Sequence, residues 1–500
     1  MSGVGAAMGD LTGRLERAYG TRIADARFDL GGALEEVLAG VGLSTSDAGG
    51  RVEWSGADPV LKSPLRLGGA ATIALLAKSV AAAAMHRWRG GPGQDLAIDL
   101  GPTPHRLCPF YDGKWELVGR YPAVPSLEVG NVMGATFFRT RDGRWVLPQA
   151  LYPNLRLRAQ QLLGVPLTYE PVAEAIGRWD ALALEKAGEE AGIVMPMVRN
   201  LPEFLEEPHY REVLADMPLI EITRIGDSAR EPLRPLGAQP FSGYRTLGMG
   251  HVIAGAGFGR SMALHGADVL NLWRPGEGEL EPIYASANVG MRSTWLFARH
   301  ERKLLVDLLQ GADIFFQNRR LAQLRDLGLL PEDVARERPG IVYVSISLHG
   351  MKGPWAERAG FDQTAGCVTG VMSLQGSEDE PALPPIGVVN DYLAAWLAQV
   401  GVVAALRRRA EEGGSYHVHV SLTRAALWLL SLGIFDKAWA ERTADASEEH
   451  RYRDPEVFRA VTPMGDYQGV TDQVRMSLTP GAYDPVLIPR GASRPEWLAR

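Results

Sequence analysis

Short runs of β-branched and apolar residues alternate along the chain with longer stretches whose apolar positions recur at helical spacing. Asp268 to Leu272 (DVLNL), Ile341 to Ser347 (IVYVSIS) and Val418 to Leu422 are predicted as strands, and Arg299 to Leu309 and Tyr392 to Arg409 as helices. Alternation of this kind predicts an α/β protein with a parallel sheet and helices on both faces. Proline and glycine cluster at Arg230 to Tyr244, read as a domain boundary, and at Gly376 to Pro385, read as a surface loop.

The pattern also repeats. Gly68 to Leu100 lies over Asn390 to Leu422 at an offset of 322 residues, matching Val80 with Val402, Ala82 and Ala83 with Ala404 and Ala405, Arg87 with Arg409, Gly91 with Gly413 and Leu100 with Leu422. Each copy reads as an apolar helix, a basic last turn, a glycine stop and a strand, which is the local chemistry of helix termination. A weaker echo pairs Met217 to Asp227 with the region of Met464 to Pro480. Internal duplication is the reading that explains the shared order.

Composition narrows the classes. Hydrophobic residues make up 46% and charged residues 22% of the 500, a globular balance that argues against disorder. With 52 Lys plus Arg against 59 Asp plus Glu the net charge is −7, so the chain lacks the positive field of a nucleic-acid binder. Two cysteines, Cys108 and Cys367, rule out a disulfide framework and suit a reducing cytoplasm. Met1 to Leu11 lacks the pattern of a secretory signal. The longest apolar run identified, Leu393 to Leu406, falls short of the ~20 residues of a membrane span and is expected to be a buried helix. The expectation is a cytoplasmic protein with no membrane partner and no bound metal.

Candidate chemistry is sparse. The turn in His251 to Arg274 carries Gly255, Gly257 and Gly259, the wrong spacing for a dinucleotide fingerprint, and Trp273-Arg274 stands where a ribose-binding acid belongs. Arg274 suits a phosphate instead. His417 and His419 share one face of a strand as two metal ligands would, but no third ligand is near, and ordinary strand residues are the simpler reading. No G-x-S-x-G elbow occurs, so a serine hydrolase is not supported. Asp391 opens the long apolar helix. A cap is the commoner role for such an acid, whereas a carboxylate held at a helix N-terminus is also a nucleophile. The repeat favours the second role, because Gly69 occupies the equivalent position and the fold does not require an acid there. Asp362, in Gly360-Phe361-Asp362, is a second acid in apolar surroundings, structural or catalytic.

These residues resemble the class III CoA-transferase (CaiB/BaiF-like) family, which includes formyl-CoA and carnitine CoA-transferases and α-methylacyl-CoA racemases. The motifs run in family order over about Ser242 to Leu430. They are HVIAG from His251, HGADV from His265, NVGMRS from Asn288, Gly311-Ala312-Asp313 to Asn318-Arg319-Arg320, IVYVSISLHGMKGP from Ile341, Gly360-Phe361-Asp362, Ile386 to Asp391, and Gly413 to Leu422. Arg66 to Leu100 resembles the family's post-aspartate helix and strand, and Phe137 to Leu147 and Leu201 to Tyr210 its smaller domain.

The resemblance implies a Rossmann-like parallel-sheet large domain plus a smaller α+β domain, with two incomplete copies fused. The expected division is 1–130, a partial large-domain segment of the first copy; 131–235, the small domain; 236–435, the catalytic large domain; and 436–500, a tail returning to the large domain. Family members form interlocked dimers, so the fused chain is expected to be a pseudo-dimer building one site, alone or as a homodimer. The implied activity is transfer of CoA from an acyl-CoA to a carboxylic acid through an Asp391 mixed anhydride and an aspartyl-CoA thioester. His251, Arg274 and Asn318 match CoA-contact positions, and the chemistry needs oxyanion stabilisation from backbone N–H groups, expected around Leu348 to Gly353. Ile253, Trp273 and Arg319 depart from the family pattern, and Ile253, Trp273 and Phe361 imply an apolar acyl site. The alternatives are an α-methylacyl-CoA racemase using Asp362, which Phe361 disfavours by replacing a histidine, and a CoA-binding protein without catalysis. The sequence does not name the acyl donor, the acceptor acid or the pathway.

Overall fold

The computed structural model describes residues 10–123 and 132–499. The expected boundary at 130 and most of the Met1 to Leu11 stretch read for a signal lie outside them.

Six parallel strands form the larger sheet. In chain order they are Arg245–Met249, Asp268–Trp273, Arg292–Trp295, Ile314–Gln317, Val342–Ser347 and Ser415–Ser421. The sheet runs from the third through the second and first to the fourth, fifth and sixth, with Glu221–Gly226 added antiparallel at the edge. Strand order therefore reverses around Arg245–Met249, and a crevice opens beyond the carboxyl ends of the strands at such a point. Glu221–Gly226 belongs to this sheet although it precedes residue 236, so the sheet reaches into the segment expected to be small domain. The strand at 415 ends at Ser421, because Leu422 begins the helix Leu422–Ser431, in which the Ser421 hydroxyl accepts from the Arg424 N–H.

The central helix Asn390–Glu412 lies on one face of this sheet, buried along almost its whole length. It packs against Leu67–Trp88, in which every residue from Leu67 to His86 is buried. Leu67–Trp88 is long and apolar enough to cross a membrane by length and composition, a longer stretch than Leu393 to Leu406; here its apolar window is wholly covered by protein. Lys78, at its middle, is buried and paired with Asp472 at 2.5 Å. A separate core around Leu305, Phe315, Val334 and Tyr343 fills the opposite face of the sheet.

The arrangement at the end of the large sheet recurs in miniature. Gly49–Ser55 pairs parallel with Gln94–Asp99, which pairs antiparallel with Val474–Met476. Val342–Ser347, Ser415–Ser421 and Glu221–Gly226 stand in the same relation. Both sequence echoes thus correspond to like-placed elements: helix and strand in the first, antiparallel edge strand in the second. The helix starts match too. Asp58 accepts from the Gly68 and Gly69 N–H groups, at 3.2 and 2.5 Å, as Asp362 does at the start of Asn390–Glu412.

Residues 133–197 pack around a core of their own that includes Phe138, Val146, Leu155, Val172 and Leu184, with the hairpin Phe138–Arg139/Trp145–Val146 and three helices. From 457 onward the chain forms an antiparallel sheet with Leu117–Val118 and Tyr121–Pro122, then returns to the large sheet, where Ser493 bonds Ser293 and Trp497 bonds Leu308.

Candidate active site

The crevice holds a cavity of about 850 Å³, lined from both halves of the chain by Tyr152, Arg158, His251, Arg274, Asn318, Arg320, Ser347, Phe361 and Asp391, among others. The first half does not lie apart from Asp391.

Asp391 occupies the second position of its helix, 5% exposed. It is not the cap, the commoner reading of its position. That role falls to Asp362, 3% exposed, which arrives from the start of its own helix Asp362–Thr369. Asp362 accepts the N–H groups of Val389 at 3.1 Å, of Asn390, and of Asp391 at 2.9 Å. These are donors that every helix leaves without an intrahelical partner. Among the described residues no hydrogen bond reaches the Asp391 carboxylate. Burial, then the neighbouring Asp362 charge, push its pKa well above the usual carboxylate range. Burial raises Asp362 as well, to about 6, against the opposing pull of its N–H bonds. Two acids share one helix end; one is spent on the backbone and the other faces the cavity.

The segment beneath the cavity is held under strain. Val252 has φ of 59°, a left-handed conformation that a β-branched residue seldom adopts. Three side chains hold it there. Asn318 accepts from the His251 N–H at 2.9 Å and donates to the His251 carbonyl at 2.7 Å. Asn271 bonds both backbone groups of Gly250. Glu279 accepts from the Val252 N–H at 2.8 Å. Gly255 permits this packing, because a Cβ there would stand 2.5 Å from the Asn318 amide oxygen. Asn318 therefore positions the loop, with most of its amide already used.

His251 points its Nε2 at the Gly278 carbonyl, 3.1 Å away, and at Glu279, 3.5 Å away. Its ring lies 5.5 Å from that of Tyr152, whose hydroxyl donates to Glu279 at 2.5 Å and whose ring stacks on Phe361. Gln149, also from the first half, accepts from Thr364 and donates to Gln363, fixing the helix that carries Asp362. Sequence reasoning missed Tyr152, Gln149 and Glu279, for no motif surrounds them.

Arg274, Arg158 and Arg320 line the opening, and partial desolvation of the guanidinium, then the charge of Arg158, lowers the Arg320 pKa. Arg319 is instead held in a nearly buried ion pair with Glu277 and donates to the Met249 carbonyl at 2.9 Å. The expected apolar acyl wall is corrected: Phe361 lines the cavity, but Ile253 lies in the core and Trp273 borders a neighbouring cavity of about 440 Å³. In the expected oxyanion segment, Leu348, Gly350 and Met351 line the cavity, and the Gly350 N–H already donates to Ser347 Oγ at 3.0 Å.

A doubly wound sheet, a crevice at its switch point and a buried acid on a helix start define an α/β protein with a carboxylate facing that crevice. Residues 241–467 match the family model for CoA-transferase family III. Over 335 residues it is 28% identical to an acetyl-coenzyme A transferase of Hypoxylon pulicicidum, covering 61% of this chain and 56% of that one. It is 27% identical to the succinyl-CoA:glutarate CoA-transferase of Mus musculus, covering 37% and 45%. It is also 27% identical to the succinyl-CoA–D-citramalate CoA-transferase of Chloroflexus aurantiacus, covering 41% and 53%. The chain thus spans about half the length of the curated relatives it matches. A CaiB/BaiF family protein from Brucella suis overlays 46% of this chain and 65% of its own, at 25% identity and a TM-score of 0.34.

Proposed function

We propose that this chain is a CoA-transferase in which Asp391 is the nucleophile. The observation that carries this reading is the placement of Asp391: a buried carboxylate at a helix N-terminus, relieved of capping by Asp362 and opening into a cavity lined by arginines. A desolvated carboxylate attacks a thioester carbonyl with little solvent to shed, giving a mixed anhydride and CoA thiolate. The thiolate returns to form an aspartyl thioester, and the acceptor acid completes the exchange. Arg274, with Arg158 and Arg320, suits the CoA phosphates, since guanidinium groups match phosphate geometry. Tyr152 and Gln149 support a site built by one chain from both halves.

Asp362 does not line the cavity and is engaged by three N–H groups, which leaves a racemase without its second acid–base group. The test is the intact mass of the chain after incubation with a panel of acyl-CoAs, followed by hydroxylamine or borohydride trapping. An adduct on Asp391 is expected. CoA binding without an adduct or α-proton exchange would replace the reading with a non-catalytic CoA binder.

A further inference from the structure

On the floor of the same cavity the sheet assembles a second group of reactive side chains. Ser347 ends the strand Val342–Ser347, His419 lies on the neighbouring Ser415–Ser421, and Glu221 lies on the antiparallel edge strand, where it is paired directly with His419. Ser347 Oγ is 2.8 Å from His419 Nε2, and His419 Nδ1 is 3.1 Å from Glu221 Oε2. An ionised carboxylate can only accept, so Glu221 fixes the proton on Nδ1 and leaves the Nε2 lone pair for the serine hydroxyl. Burial leaves His419 2% exposed, while Ser347 is only partly covered and borders the cavity that Asp391 borders. The Gly350 N–H donates to Ser347 Oγ, a contact that strengthens as negative charge develops on that oxygen. Nucleophile, base and orienting acid stand in the order that general principles require of an activated serine.

Two comparisons within the molecule set this group apart. Ser345 and His417 also bond, at 2.6 Å, and Ser345 also borders the cavity, but it is 1% exposed and no carboxylate bonds the His417 ring among the described residues. In the first-half repeat the positions matching His417 and His419 are Asp95 and Ala97, so the arrangement occurs only in the unit that has the cavity.

We propose that Ser347, His419 and Glu221 form a second nucleophilic centre that hydrolyses thioesters in this cavity by way of a seryl ester. The Ser347 oxygen forms a bond to the thioester carbonyl carbon and passes its proton to His419 Nε2. The tetrahedral adduct re-forms its carbonyl, the carbon–sulfur bond breaks, and His419 returns the proton to the departing sulfur. Water then attacks the ester with His419 again accepting the proton, and the serine oxygen leaves and takes that proton back. The sum is thioester plus water to carboxylic acid plus thiol, with no change of oxidation state. Glu221 is a positioning residue. The identity of the thioester as an acyl-CoA rests on the transferase reading; the reactivity of Ser347 does not.

The experiment treats the full chain with a fluorophosphonate, which labels activated serines irrespective of CoA. One label per chain on Ser347 is expected, absent in Ser347→Ala and slowed by about 100-fold or more in His419→Ala. Glu221→Gln is expected to slow labelling about 10-fold and Glu221→Asp to restore part of the rate, as orientation by a charge requires. Ser345→Ala keeps the label, showing that loss of a hydroxyl on this sheet does not itself destroy the site. Acyl-CoA without acceptor acid should then release free thiol over repeated turnovers in Asp391→Asn and not in the double variant Asp391→Asn/Ser347→Ala. A folded chain that takes no label, or takes it elsewhere, overturns the proposal and leaves these residues as a hydrogen-bonded ladder. An Asp391 adduct without a Ser347 label sinks this inference alone, and a Ser347 label without the adduct sinks the transferase reading alone.

Discussion

The Asp362 carboxylate accepts the backbone N–H of Asp391 at 2.9 Å, so one acid holds the helix start that the other acid exploits. This division of labour lets a buried carboxylate remain unbonded at a site where the backbone itself demands an acceptor. The consequences can be measured separately.

Asp391→Asn is expected to abolish CoA exchange, by about a thousandfold or more, because an amide forms no anhydride. The fold is expected to gain. In the folded chain Asp391 titrates above its unfolded value, so it subtracts stability as pH rises through the window between the two. The variant's melting temperature should equal the parent's near pH 4 and exceed it by about 2 °C or more near pH 8. A difference that shrinks with rising pH would contradict the assignment.

The same raised pKa sets the direction of the pH–rate profile. Attack needs the ionised carboxylate, so exchange should increase with pH through a limb displaced above the ordinary carboxylate range. Initial rates in constant-ionic-strength buffers check this; a limb near pH 4 would show that substrate binding reverses the shift.

Asp362→Ala should behave oppositely to Asp391→Asn. Three N–H donors lose their acceptor in a buried place, at a cost of about 2–3 kcal/mol. Denaturant midpoints measure it, and Asp362→Asn, which keeps one acceptor oxygen, should lose less.

The arginines should separate by environment. Arg274→Ala and Arg320→Ala are expected to raise the Kd for CoA about five- to tenfold each, with a weaker dependence on salt than the parent shows. Arg319→Ala leaves buried Glu277 unpaired, and its main effect should be on stability. Calorimetric binding and thermal unfolding, measured on all three, distinguish the groups.

Much of the fold is legible because its signals are local. Helix stops at Arg87 and Arg409, the strands between glycine turns and the 322-residue echo are all carried by neighbours in sequence. Asp391 stands out in the sequence because Gly69 occupies the position 322 residues before it. What escaped is what the sheet and the chain halves bring together. Asp362 caps a helix 27 to 29 residues further on, and Tyr152 meets Glu279 across 127 residues. The alternation of His417 and His419 is visible in the sequence and fits an ordinary strand; Ser345 and Ser347 alternate likewise on the facing strand, and only parallel pairing aligns them. Family position alone puts Trp273 and Ile253 at the acyl site, but the turn at Val252 buries Ile253 and the strand end carries Trp273 into the adjoining cavity.

Gly69 stands where Asp391 has its repeat counterpart, and Asp58 caps that helix although there is no acid beside it to serve. In an assembly of two identical chains every codon change is made twice, once in each partner. Here the two halves are separate stretches of one gene. The helix start that carries the acid can be altered for its chemistry while Leu67–Trp88 changes only as its packing allows.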